Sequence, residues 1–177
     1  MLWLGIDPGV SGGFAVYDDE LAAVVKAAPF DRLTAADVLR EFTCFAAGIG
    51  YSSRGRAAVL EKVFGASPQM GKHAIAVFAD QHGWCRGVLD ALSVLQQLPW
   101  LHVLPAEWQR VLRIPPTRGK IGVGHAERKK LLRQFCEQIL PASHPTAKTA
   151  DAILIARAAP ALFGGRATPA GPKRTTP

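Results

Sequence analysis

The chain has 177 residues, 49% hydrophobic and 20% charged, which excludes disorder and is enough for one apolar core without disulfide or metal staples. Its formal net charge of +7 favours a polyanionic partner, either nucleic acid or an anionic membrane surface. No apolar stretch approaches the roughly 20 residues that span a bilayer, and the odd set Cys44, Cys85 and Cys136 has neither zinc spacing nor the look of a secreted disulfide framework.

In chain order, residues 2–6 form a continuously apolar run stopped by Asp7-Pro8-Gly9, the pattern of a buried strand ending at a tight turn. Residues 12–17 and 21–27 are predicted as two further strands, joined at Asp18-Asp19 into an antiparallel meander. Residues 34–48 open with a Thr cap and repeat apolar side chains at Val38, Leu39, Phe42 and Phe45, which predicts a helix. Residues 57–63 return to a strand pattern with Glu61 near the end, and 65–71 are loop-like. Residues 72–97 suit one long helix, or two broken near Gly83 or Gly87. A strand at 100–104, a short helix from Pro105 and a loop over 115–124 come next, then an amphipathic helix over 124–140 and a last helix over 149–162. The domain is placed at residues 1–163. The Pro/Gly/Thr-rich basic remainder, 164–177, is expected to be a disordered tail. Three early strands followed by helices alternating with two more strands make an α/β domain: a mixed five-stranded sheet flanked by helices.

Three carboxylates stand out, and each has two readings. Asp7 lies where a buried strand meets a glycine-rich turn, suited to chemistry at a sheet end or to an Asx-type turn before Pro8. Glu61 interrupts an apolar strand, where a lone buried carboxylate costs several kcal/mol unless paired or metal-bound; it could instead point to solvent beside Lys62. Asp151 opens an apolar helix, as a ligand or as a partner of the helix dipole. Together they are more informative, because all three can converge on one end of a mixed sheet. Clustered carboxylates repel, so they call for divalent cations, and oxygen ligands suit Mg²⁺ or Mn²⁺. Two such ions can activate a water and stabilise the leaving oxygen of a phosphodiester.

These residues carry a resemblance. Ile6-Asp7-Pro8-Gly9 with Ser11-Gly12, Leu60-Glu61-Lys62-Val63-Phe64 and Ala150-Asp151-Ala152-Ile153-Leu154-Ile155-Ala156 resemble RuvC-type Holliday-junction resolvases, a family with a ribonuclease H-like fold. Pro68-Gln69-Met70-Gly71-Lys72, Val103-Leu104-Pro105-Ala106-Glu107-Trp108-Gln109 and Lys120 are similar to the phage and organellar branch more than to the bacterial enzymes. The resemblance spans about residues 2–160 and implies a homodimeric endonuclease that resolves four-way DNA junctions by metal-dependent phosphodiester hydrolysis. It implies Asp7, Glu61 and Asp151 as metal ligands for two Mg²⁺ or Mn²⁺ ions per site, with Lys120 stabilising developing charge. Phe64 matches an aromatic that stacks on unpaired bases, and a core Phe at a strand end is the other reading. Neither a nucleotide cofactor nor a membrane is expected. The expected setting is intracellular, in the cytoplasm or in that of a host cell for a phage protein, and not secreted.

One departure matters. The family supplies a fourth ligand a few residues before the last-helix acid, but residues 143–150 hold no acid; Lys148 stands three positions before Asp151, and His144 is the other nearby ligand type. His144 could serve as that ligand, or Lys148 could contact the phosphate. Between Arg118 and Arg133 lie six basic residues against Glu127, and of these Arg128, Lys129 and Lys130 suit backbone tracking or a solvated helix face. The DNA-contacting set is then Phe64, Lys72, Arg118, Lys120, Arg128, Lys129 and Lys148. Trp84, Trp100 and Trp108 are expected to pack in the core. Apolar residues of the long helix from Lys72 mainly cover the sheet, with a dimer face as a further possibility.

Three alternatives stand beside the resolvase: a ribonuclease H-like nuclease acting on other branched DNA or on hybrids, a junction-binding protein impaired in catalysis, and a lobe of an actin-like ATPase. The last needs two such lobes, and the length argues against it.

Overall fold

The computed structural model describes residues 1–9, 11–51, 54–62, 72–115 and 124–165, and side chains at 72–74 and 125 lie outside that description. Five strands form one sheet: β1 (Leu2–Asp7), β2 (Gly13–Asp18), β3 (Ala23–Pro29), β4 (Arg56–Glu61) and β5 (Trp100–Val103), in the order β3-β2-β1-β4-β5. The first three make the antiparallel meander, and β4 and β5 add in parallel beside β1. The sheet is therefore mixed, as expected. Its helices are α1 (Ala35–Ala47), α2 (Lys72–Gln96), α3 (Pro105–Val111), α4 (His125–Ile139) and α5 (Ala150–Gly164).

Strand alternation divides the core in two. Leu2, Leu4, Ile6, Phe14, Val16, Ala58 and Leu60 face α1 and α2, whereas Trp3, Ala15, Tyr17, Ala57, Val59 and Val103 face α3, α4 and α5. Every residue of β1 and β2 is buried, because helices cover both faces. β3 is the exposed edge.

The helix ends follow local chemistry. Thr34 and Asp37 form a reciprocal capping box at the start of α1, and Gly48 ends it in the left-handed conformation. α2 runs unbroken through Gly83 and Gly87, since both glycines stand in open space where a helix tolerates them. α5 continues past Pro160 to Gly164, two residues beyond the predicted end. It is buried nearly all round, as expected of a helix sandwiched between a sheet and other helices. Among the described residues no helix is long and apolar enough to cross a membrane.

A close approach of helix to strand sets the site. Gly5 of β1 lies against α5 so tightly that a Cβ there would stand 2.3 Å from the carbonyl oxygen of Ala152 and 2.4 Å from the nitrogen of Ala156. Along that face Trp3 meets Phe163 and Gly5 meets Ala152 and Ala156. The helix thus runs antiparallel to the strand, and its first turn arrives beside the strand's carboxyl end, where Asp7 stands.

Candidate functional site

Asp7 ends β1, and Glu61 ends β4 one residue past the last paired positions, Ile6 and Leu60. Both point to the α5 face by strand alternation. Asp151 enters from the first turn of α5. Asp7 and Asp151 are 6% and 5% exposed, so these are acids inside the protein rather than on its surface. Glu61 is partly exposed, with its Oε1 accepting a hydrogen bond from the indole Nε1 of Trp108 at 2.8 Å. At the turn, the chain doubles back so closely that a Cβ on Gly12 would lie 2.0 Å from the carbonyl oxygen of Asp7. The glycine allows that return.

A lysine occupies the centre of the group. Lys129, on the first turns of α4, places its Nζ 3.0 Å from Asp7 Oδ2 and 2.6 Å from Asp151 Oδ2. Among the described residues, none hydrogen-bonds the buried Asp151 Oδ1. Burial, then the charge of Asp151, push the Asp7 carboxyl up to about 6; the Lys129 ammonium and a hydrogen bond with Glu61 act against that rise. Glu61 is raised well above the ordinary glutamate range, first by burial and then by Asp7 and Asp151, while Trp108 and the charge of Arg128 oppose the shift. Burial opposes the charge on Lys129, but Asp7 and Asp151 overcome it and hold its pKa above the usual lysine value.

The structure brings Asp7, Glu61 and Asp151 together at one end of the sheet. Among the described residues, however, no group of three His, Cys, Asp or Glu side chains is arranged to hold a metal ion. Instead, the Lys129 ammonium lies between Asp7 and Asp151, and Trp108 hydrogen-bonds Glu61. The donor set still suits a hard divalent cation. Two buried carboxylates already share one positive charge, and Asp151 Oδ1 is a buried acceptor with no hydrogen-bond partner among the described residues. Asp7 and Asp151, with Glu61 beside them, would hold such an ion.

Other expected residues fall elsewhere. His144 is exposed, in the left-handed conformation at the end of a 3₁₀ turn (Pro141–Ser143), and lines a groove with Val24, Lys26 and Arg32 against β3. Lys148, which also lines the groove, pairs with Asp31. Arg128 lies close enough to Glu61 to favour its charged form, and Lys130 is exposed. Phe64, Arg118, Lys120 and the segment 166–177 lie outside the described residues, as does the side chain of Lys72, the first residue of α2.

Two roles were not anticipated. Trp108 is a core residue, as expected, but its indole also orients Glu61. Lys129 was placed on the DNA-facing side, yet it heads the buried stripe of α4 that continues through Leu132, Cys136 and Leu140. A lysine at the i, i+3, i+7 positions of an apolar stripe needs a buried carboxylate partner, and that periodicity was the available signal.

The same architecture occurs in solved proteins. RuvC of Thermus thermophilus in complex with a Holliday junction substrate superposes with a TM-score of 0.57 at 18% identity, covering 93% of this chain and 96% of that one. A second Thermus thermophilus RuvC structure matches with a TM-score of 0.57 at 17% identity, covering 93% and 97%. The chain has the RuvC fold, of the ribonuclease H-like kind. No family model matches the chain, and no curated protein matches it in sequence. At this identity the likeness concerns the architecture alone.

Proposed function

We propose that the chain is a metal-dependent endonuclease that resolves four-way DNA junctions. The observation that carries this reading is the convergence of Asp7, Glu61 and Asp151 at one sheet end, with Asp7 and Asp151 sharing a single cation position. The RuvC-like architecture and the net charge of +7 support a branched-DNA substrate. A bound Mg²⁺ or Mn²⁺ would polarise the phosphodiester and ease deprotonation of water. The chain's own residues prepare that chemistry. Asp7 and Asp151 would hold the ion, and Trp108 orients Glu61 through its indole hydrogen bond. Burial and the neighbouring acids favour the neutral form of Glu61, and positive charge entering the site would favour its ionised form. The motifs around Lys72 and Trp108 support kinship with the phage and organellar branch. A homodimer belongs to the same proposal, and Val94 and Leu95, strongly exposed on α2, suit a helix-borne interface.

The test is cleavage of four-way junction, nicked duplex and linear duplex with Mg²⁺, Mn²⁺ or EDTA. Asp7→Asn should abolish cutting and leave junction binding largely intact; a variant that cuts at the wild-type rate would refute the assignment. A second reading, junction binding without cleavage, is favoured by one observation: Lys129 fills the position between Asp7 and Asp151 and no further acid stands before Asp151. Structure-selective binding with no cutting at any Mg²⁺ or Mn²⁺ concentration would decide for it.

A further inference from the structure

The cation balance of the cleft is unusual. The segment before Asp151 brings it no second acid: Lys148 pairs with Asp31, Thr146 and Thr149 bond to each other, and His144 faces the β3 groove. In that place a positive charge enters from the opposite helix, with Lys129 Nζ bonded to both Asp7 Oδ2 and Asp151 Oδ2. When ionised, Asp7, Glu61 and Asp151 carry three negative charges. One divalent ion and one ammonium neutralise them; two divalent ions with the ammonium would leave an excess of two positive charges. Loading a second divalent ion would mean expelling Lys129 from two buried carboxylates. Asp151 Oδ1, buried and without a hydrogen-bond partner among the described residues, is the acceptor that Lys129 leaves unused.

We propose that Lys129 serves as a built-in second cation, so that the cleft loads one divalent ion rather than two. This rests on the cleft being a cation site, and it departs from the two-ion expectation drawn from the family resemblance. Lys129 thereby sets ion stoichiometry, a property that can be counted without any DNA present.

The experiment is a Mn²⁺ titration of the full-length protein at neutral pH, reading free Mn²⁺ by its electron paramagnetic resonance signal. The wild-type protein should bind one Mn²⁺ per chain in the cleft, and that ion should be lost in Asp7→Asn and Asp151→Asn. Lys129→Met should bind a second Mn²⁺ or hold the first at least about tenfold more tightly, whereas Lys129→Arg, which keeps the charge, should still bind one. Two ions in the wild-type protein would overturn the proposal while leaving the cation site intact. No ion at millimolar Mn²⁺ would overturn the cation site itself, and the proposal with it. Identical number and affinity in wild-type and Lys129→Met would also overturn it, and the wild-type count decides even if the methionine variant does not fold.

Discussion

Gly5→Ala is the sharpest perturbation of the geometry that makes the site. An added Cβ would meet the Ala152 carbonyl oxygen at 2.3 Å, the Ala156 nitrogen at 2.4 Å and the Ala156 Cβ at 2.8 Å, although real Cβ atoms essentially never approach within 3.0 Å. The first two obstacles are helix backbone, so no rotamer change relieves them. α5 must move off β1 by at least about 0.7 Å, where dense packing normally costs about 1–3 kcal/mol for such an insertion, and backbone obstacles favour the upper end. For a domain of this size that corresponds to a loss in Tm of roughly 6–12 °C. Because Asp151 adjoins Ala152, the same shift opens the 2.6 Å bond to Lys129 and separates Asp151 from Asp7. Urea unfolding measures the first effect and Mn²⁺ titration the second, and Mn²⁺ affinity should fall together with stability. Gly83→Ala is the control: nothing lies within 4 Å of a Cβ there, and in mid-helix the change should stabilise by up to about 1 kcal/mol. Wild-type stability in Gly5→Ala, with α5 unmoved in its crystal structure, would refute the reasoning.

Other outcomes follow from the charges and contacts. The Asp7 pKa is raised from 3.8 to about 6, so its favourable contribution is present below pH 3.8 and lost as pH rises through 6. In EDTA, Asp7→Asn should therefore gain stability relative to wild type as pH rises from 4 to 8, by up to about 3 kcal/mol; an unchanged difference between the two pH values would contradict it. Trp108→Phe removes the donor to Glu61 and leaves a small void, costing about 1–3 kcal/mol, and should move the acid limb of the cleavage pH profile to higher pH as Glu61 rises further. His82 and His102 stack across α2 and β5 with their Nε2 atoms 2.7 Å apart, and burial, then His82, pull His102 down to about 4. The unfolded chain binds the extra proton, so wild-type stability should fall as pH drops from about 6.5 through 4, more steeply than in His102→Gln; parallel profiles would exclude the pair as the cause.

Much of this protein is local chemistry that a chain displays directly. The apolar run ending at Asp7, the Thr34 cap, the alternation that buries Leu60 but not Glu61, and the apolar stretch after Asp151 each depend on near neighbours, and together they specify the mixed sheet and the three acids that meet at its end. Gly83 and Gly87 left the continuity of α2 open, because a helix interrupted by glycine is settled by what it packs against. The contents of the site were likewise decided in three dimensions. Lys129 lies more than a hundred residues from Asp7, and only the crossing of α4 over α5 brings its ammonium between two buried carboxylates. Trp108 and Glu61 meet through the same kind of long-range contact. Side-chain type determines which groups need a partner when buried; tertiary packing decides which partner each one receives, because removal from water penalises every alternative in which a charge is left alone.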